Sequence, residues 1–421
     1  MKNNQIRHKT NSVSPGKKSR GYAESFLAGF EIMIVGFVIE IFLKGQGIRS
    51  PHMPYNLLLL CFLVIILVFS HLFLRSTPFV RWLSSVPCSI SAITIYAFMI
   101  LLLGFVPQEG DNRSPWLQLL GLNHVKNSWP FMLIQFYLLI SLGLVVPRRA
   151  FPFTRKNIGF LMNHLGLWIT LVAIGLGSGD LKRVTINLYE NEDYTHAGIL
   201  SGQQDMIEMP FSARLLDFDI ELYNPKIAVA DVLKGKIVQK HGETLPIIHK
   251  GFETTLIDWE IQVKEYMPLA VKTDSGFIEA DKPGNMAVAF VETRNKITGD
   301  TVSGWIASGS MMFESRFLDL SRSKLLILTE PEPKKFESII VVKDAKGDTS
   351  TIRLEVNKPH RVAGWKLYQI SYDTQMGRYS TLSVIEAVRD PWLPLVYTGI
   401  TLLLCGALYL FWLGRGVRSK E

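Results

Sequence analysis

His164 stands inside an apolar run, Phe160-Leu161-Met162-Asn163-His164-Leu165-Gly166-Leu167-Trp168, that continues to Gly179. An ionisable ring in a stretch able to cross a bilayer is costly to keep, and proteins that keep one usually use it. A neutral imidazole offers one nitrogen lone pair, which makes it a common ligand of haem iron. On a helix, Phe160, His164, Trp168 (or Leu167), Leu171 and Gly175 share one stripe. His164 is therefore the candidate axial ligand, with Phe160 and Trp168 as its candidate haem-binding neighbours. Gly159, Gly166 and Gly175 would let a partner helix or a flat macrocycle approach closely. The competing account is a buried histidine hydrogen-bonded to a neighbouring helix.

The remaining chemistry-bearing side chains are scattered. His71, in Val68-Phe69-Ser70-His71-Leu72, is a possible second haem site, although a residue near a span end more often sits at headgroup level. His52 and His124 read as loop residues. Glu31 and Glu40 interrupt the first apolar run nine residues apart, so a helix points them to opposite faces and they cannot form one carboxylate pair. Glu31 is deep enough to call for a partner inside the bundle, and Glu40 lies toward the outer interface. The three cysteines, Cys61, Cys88 and Cys405, lie in or beside apolar runs, so there is no disulfide framework and no C-x-x-C pair.

These residues need elements to hold them. The chain has 421 residues, of which 48% are hydrophobic, and the apolar ones are unevenly spread. Six runs are long enough to span a bilayer: about 26–43, 57–74, 83–106, 130–146, 158–176 and 393–413. The net charge of +8 sits largely in short connections. Arg75 and Arg81, then Arg148, Arg149, Arg155 and Lys156, fall on one side with both termini if every run crosses. The opposite loops hold only Lys44, Arg49, Arg113 and Lys126. The positive-inside rule then places both termini in the cytoplasm. This charge pattern is a topology signal and speaks against nucleic-acid binding.

The expected plan is a basic cytoplasmic tail over 1–22, a five-helix transmembrane region over 23–178, an extracytoplasmic β domain over 179–390, a last helix over 391–414 and a short cytoplasmic tail over 415–421. The tail before the first run is rich in Lys, Ser and Asn and reads as disordered. The run after it is long and lacks a clear cleavage site, so it reads as an uncleaved anchor. Between Asp180 and Arg389 the pattern becomes short and alternating, as in Leu256-Ile257-Asp258-Trp259-Glu260-Ile261-Gln262-Val263, with turn signals such as Asp281-Lys282-Pro283-Gly284. Alternation of this kind predicts a mostly antiparallel β sandwich or barrel-like domain. It carries no G-x-S-x-G, H-E-x-x-H or phosphate loop. Its histidines, His196, His241, His249 and His360, read as surface or strand residues. At the return to the membrane, Asp390-Pro391-Trp392 predicts a helix start: Asp390 as cap, Pro391 in the first turn, Trp392 in the aromatic belt.

Several stretches together resemble the ResB/CcsB family of cytochrome c maturation, system II. They are Met209-Pro210-Phe211-Ser212-Ala213-Arg214, the segment around His164, Gly364-Trp365-Lys366-Leu367-Tyr368-Gln369-Ile370-Ser371-Tyr372-Asp373, Gly377-Arg378-Tyr379-Ser380, and Val388-Arg389-Asp390-Pro391-Trp392. Two helices are extra relative to the simplest members. No Trp-Trp pair occurs, so the tryptophan-rich haem-handling segment of CcsA is missing and the chain is similar to the separate-subunit form. The resemblance implies work with a CcsA-type membrane subunit: haem export across the inner membrane and its covalent attachment to Cys-x-x-Cys-His sites of apocytochrome c. This chain would be a subunit of a holocytochrome c synthase whose catalytic haem-handling residues lie mostly on the partner. It would supply His164 and a periplasmic platform, and Tyr368, Tyr372 and Asp373 would fix that platform to the bundle. A haem-free, membrane-anchored docking protein is the alternative. A b-type electron carrier would normally need paired membrane histidines, and His164 and His71 differ in apparent depth.

Overall fold

A computed structural model describes residues 21–108, 114–202, 205–238, 244–274 and 276–417. The predicted N-terminal tail, the end of the C-terminal tail, Arg113 and His241 lie outside the described residues. The chain divides into two compact units: Lys182–Arg389, and the flanking residues on both sides.

The flanking unit is helical. Its long helices are α1 (Tyr22–Phe42), α2 (Tyr55–Phe73), then a short α3 (Pro78–Leu83), α4 (Val86–Phe105), a short α5 (Pro115–Leu119), α6 (Trp129–Ala150), α7 (Ile158–Gly177) and α8 (Leu393–Val417). Six of these are long and apolar enough to cross a membrane. Thr77 and Ser85 mark the breaks before α3 and α4. Each hydroxyl accepts a backbone N–H of the first turn, from Val80 and Cys88, and a proline follows near the start of each helix. The link between α2 and α4 is thus a structured shelf, one short helix long.

α7 and α8 pack through glycine. A Cβ on Gly166 would stand 2.5 Å from the Leu403 nitrogen and 2.6 Å from the Gly399 oxygen, and one on Gly399 would stand 2.4 Å from Thr170 Oγ1. Gly159 is filled by Tyr409 and Leu410, and Gly175 by the Gln135 amide. The small residues predicted to admit a partner helix or a macrocycle are therefore occupied by this chain's own α8 and α6. A polar seam joins α1, α4 and α6: Ser91 Oγ donates to the Ser25 carbonyl at 2.9 Å and lies 3.1 Å from the Tyr137 hydroxyl, which itself lies 3.1 Å from Cys88 Sγ.

The acidic residues of α1 part company. Glu40 is fully buried. Its Oε1 accepts the Gly47 N–H at 2.8 Å and its Oε2 the Trp129 N–H at 2.9 Å, at the start of α6. His124 Nε2 stands 3.4 Å from Oε1 without hydrogen-bond geometry, so His124 is part of this knot, not a free loop residue. Glu31 is exposed, sharing its face with Leu27, Ile34, Val35 and Val38, and no hydrogen bond or ion pair reaches it among the described residues. The expected bundle partner for Glu31 is not there: the helix turns that carboxylate outward.

A second knot closes the opposite seam. Asp180 accepts hydrogen bonds from the Met53 N–H at 2.8 Å, Asn56 Nδ2 at 2.6 Å and Trp392 Nε1 at 2.7 Å. Trp392 is buried against Gly177, so it is a core residue and not the predicted interfacial belt residue. Asp390 Oδ1 accepts the Trp392 N–H at 3.0 Å, holding the turn that leads into α8.

The β unit contains three antiparallel sheets. The largest runs Thr349–Glu355, Pro333–Asp344, Met206–Leu222, Thr195–Leu200, Lys182–Tyr189, Leu382–Arg389, Trp365–Tyr372, His360–Val362. Its first and last strands in sequence pair directly, Lys182 opposite Arg389, so the unit begins and ends at one place. Alternate residues, among them Val184, Ile186, Leu215, Ile340, Leu354, Leu367 and Ile385, form one core on a single sheet, which therefore curls over itself. Inside it, Ser338 Oγ lies 2.7 Å from Gln369 Oε1 and 2.8 Å from Ser383 Oγ, all buried. The other core lies between a five-stranded sheet containing Trp259–Thr273 and Met286–Asn295 and a four-stranded sheet containing Ile227–Asp231 and Lys324–Leu328. The architecture is thus apolar helices plus a mostly antiparallel β domain and a final helix.

Candidate functional site

His164 lies two turns into α7. Its Nδ1 stands 2.9 Å from the Phe160 carbonyl oxygen. A carbonyl only accepts, so Nδ1 carries the proton and the neutral ring keeps its lone pair on Nε2. Metal-ligating histidines are held in this way, with the other ring N–H bonded to a carbonyl that fixes tautomer and orientation. The Phe160 ring stacks on the imidazole with centroids 3.7 Å apart, and the Arg149 guanidinium carbon sits 5.4 Å from the Phe160 centroid. Among the described residues Nε2 has no hydrogen-bond partner.

The ring lines a cavity of about 1350 Å³ inside the helical unit, larger than the roughly 300–1,000 Å³ of ordinary small-molecule pockets. One wall is the shelf of α3 and the start of α4, with Arg81, Ser84, Ser85, Ser89, Ile90 and Ile93. α6 supplies Leu138, Leu142, Val145, Arg148 and Arg149, and α7 supplies Phe160, His164 and Leu167. Among the described residues the lining holds three arginines and no carboxylate. Arg148 Nη1 donates to the Ser84 carbonyl at 3.0 Å and to Ser84 Oγ at 2.9 Å. Ser141 Oγ donates to the Leu83 carbonyl at 2.8 Å and lies 3.0 Å from Ser89 Oγ, joining the shelf to α6.

The cavity brings together some of the predicted site residues and separates others. Phe160 and His164 line it. Of the two stripe residues Leu167 and Trp168, it is Leu167 that does. Trp168 turns to the other flank of α7, where Nε1 donates to the Leu139 carbonyl at 3.0 Å and the ring packs against the cluster of Leu63, Leu67, Leu139 and Val172. His71 is not in the lining; its ring lies 6.2 Å from that of Phe151. Sequence reading missed Arg81, Arg148 and Arg149 as site residues and took them as topology signals only. Their clustering depends on the α3 shelf lying beside the end of α6.

A haem would need an imidazole nitrogen, apolar walls and cations for its carboxylates, and the residues present fit that set. Among the described residues no cluster of three or more His, Cys, Asp or Glu is arranged to hold a free metal ion. Among the described residues the lining offers one imidazole, His164, which would be the nitrogen ligand if haem bound there.

In the β unit, the remaining motif residues have structural roles. The Tyr379 hydroxyl donates to Asp281 and accepts from Asn285 Nδ2 at 2.8 Å. Burial, reinforced by the Asp281 carboxylate, pushes that phenol up to about 12. Asp373 Oδ1 accepts the Gln375 N–H at 3.0 Å, and Asp373 N donates to Ser380 Oγ at 3.0 Å. Tyr372 packs on Phe218 and Phe336, with ring centroids 5.3 Å and 5.0 Å away. These contacts tie strands and turns of the β unit to one another.

No curated protein matches the chain. Residues 311–387, which include the Trp365–Tyr372 strand and the Tyr379 turn, match the model of the ResB-like family. That segment of the chain is thus similar to the ResB-like family.

Proposed function

We propose that this protein is the ResB/CcsB-type subunit of a system II complex, working with a CcsA-type membrane partner to bring haem across the inner membrane for covalent attachment to apocytochrome c. The observation that carries the reading is His164: an imidazole whose Nδ1 is committed to Phe160 and whose Nε2 is left available beside a large, partly apolar cavity. When bound, haem supplies an iron that accepts this lone pair and vinyl groups that react with cysteine thiols on the client. His164 holds the iron from one side, Phe160 keeps the imidazole plane in place, and Ile90, Ile93, Leu138 and Leu142 exclude water. A further ligand to the iron and the groups that orient the vinyls would come from the partner. The positive-inside reading of the basic connections supports a cytoplasmic side for this cavity, where haem is made, and the opposite side for the β domain.

The test is co-expression with a CcsA-type protein, purification of the complex and an absorption spectrum. Wild type is expected to carry haem, and His164→Ala to lose it or to shift its Soret band. Identical occupancy and spectrum in the variant would refute the ligand role. One observation favours a second reading, a haem-free docking protein: the family match falls wholly within the β unit and does not reach His164. A colourless complex that still matures cytochromes would favour it.

A further inference from the structure

We propose that Arg148 and Arg149, at the end of α6, clamp the propionate carboxylates of the haem whose iron His164 takes; the clamp rests on the haem reading above. The cavity lining combines the imidazole and aliphatic side chains with three guanidinium groups; among the described residues it has no acidic member, and no ion pair reaches Arg148 or Arg149. Arg81, Arg148 and Arg149 are exposed at this cavity, and three such cations on one lining set up a positive field that draws an anion.

The guanidinium groups are also ordered before any anion arrives. Arg148 spends only Nη1 on the protein, donating to Ser84 and, at 3.4 Å, to the Arg81 carbonyl. Its other nitrogens keep their donors. Arg149 lies over the Phe160 ring, which also stacks with His164, so the cation and the ligand ring share one aromatic neighbour. A guanidinium held flat by neutral acceptors presents a fork matched to a carboxylate. A haem is an apolar disc with an iron centre and two carboxylates on one edge, so a site that binds both features must place cations to one side of the ligand nitrogen. The end of α6 beside the first half of α7 does so. Lipid phosphate could also satisfy these arginines, and the comparison below separates the two.

The full-length chain in a neutral detergent would be titrated with haemin and with haemin dimethyl ester, which keeps the iron but lacks both carboxylates. The expected result is that wild type binds haemin about ten- to a hundred-fold more tightly than the ester. Arg148→Gln with Arg149→Gln should erase that difference while leaving ester affinity and spectrum unchanged. Arg155→Gln, another cation near the start of α7, should change neither. His164→Ala should shift the spectrum of both complexes. If wild type binds haemin and ester equally, with His164-dependent spectra, the clamp is overturned and the haem reading stands; the arginines then serve lipid phosphate or topology. A double variant weakened equally toward both porphyrins also overturns the clamp, because the arginines then only maintain the fold. If wild type binds neither porphyrin, alone or in complex with its CcsA-type partner, the haem reading fails and the clamp with it.

Discussion

Two carboxylates on one helix show how a single residue's surroundings set its consequence. Glu40 is buried and satisfies two backbone N–H groups, one of them at the start of α6, where a negative charge also favours the helix dipole. Glu40→Ala leaves both donors unpaired and should cost about 3 kcal/mol, read as a lower unfolding temperature of the full chain in detergent. Glu31→Gln, at the exposed face of α1, should leave that temperature unchanged within the equivalent of about 0.5 kcal/mol. Asp180 adds a pH dependence. Burial by itself would raise its carboxyl, but the donors Met53, Asn56 and Trp392 outweigh that and hold it below the usual carboxylate range. A depressed folded value means that the unfolded state binds the proton more readily. The stabilisation is therefore full above the unfolded value near ~4 and is lost as pH falls through the depressed one. Asp180→Asn should flatten the acid limb of a stability-against-pH profile below about pH 4, and an unchanged limb would show that other carboxylates govern it.

At the scale of elements, the α7–α8 pair depends on backbone contact. Gly166 meets the Leu403 nitrogen and the Gly399 oxygen, neither of which can move aside as a flexible side-chain end would. Gly166→Val should push the helices apart and cost about 1–3 kcal/mol or more, seen as a fall in unfolding temperature. Gly104→Ala in α4 is the control: nothing lies within 4 Å of its added methyl, so stability should hold or rise slightly. The α3 shelf is the other decisive element. Its caps and prolines stop the chain from running straight from α2 into α4, and this break sets Arg81 and Ser84 against the end of α6.

At the scale of the molecule, the β unit has cores of its own and its terminal strands pair with each other. Nothing in those cores is borrowed from the helices. Residues 182–389 produced alone should fold, giving a strand-rich circular dichroism spectrum and a cooperative thermal transition. A disordered spectrum would show that the helices are needed for folding. The helical unit likewise contains both the cavity and the knot at Asp180, so the two units divide the labour: one holds the candidate haem site and the other carries the segment matching the family model.

Local pattern was enough to reveal the six apolar helices and the antiparallel β unit, and to single out His164 as a candidate, because period and length are properties of consecutive residues. Glu40 and Glu31 could be assigned to opposite faces for the same reason, since the angle per residue is constant along a helix. Which face found a partner was another matter. Trp168 and Leu167 are equally good neighbours of His164 by helical spacing, and only the position of Leu139 on α6 drew Trp168 away from the cavity. Trp392 reads as an interfacial residue until Gly177 and Asp180 are seen to enclose it. Arg81 and Arg148 lie far apart in the chain, and their meeting at one cavity is a long-range packing outcome. Short-range regularity writes the elements into the chain; the contents of a cavity depend on which surfaces meet after those elements have packed, and that is set by shape complementarity across the whole bundle.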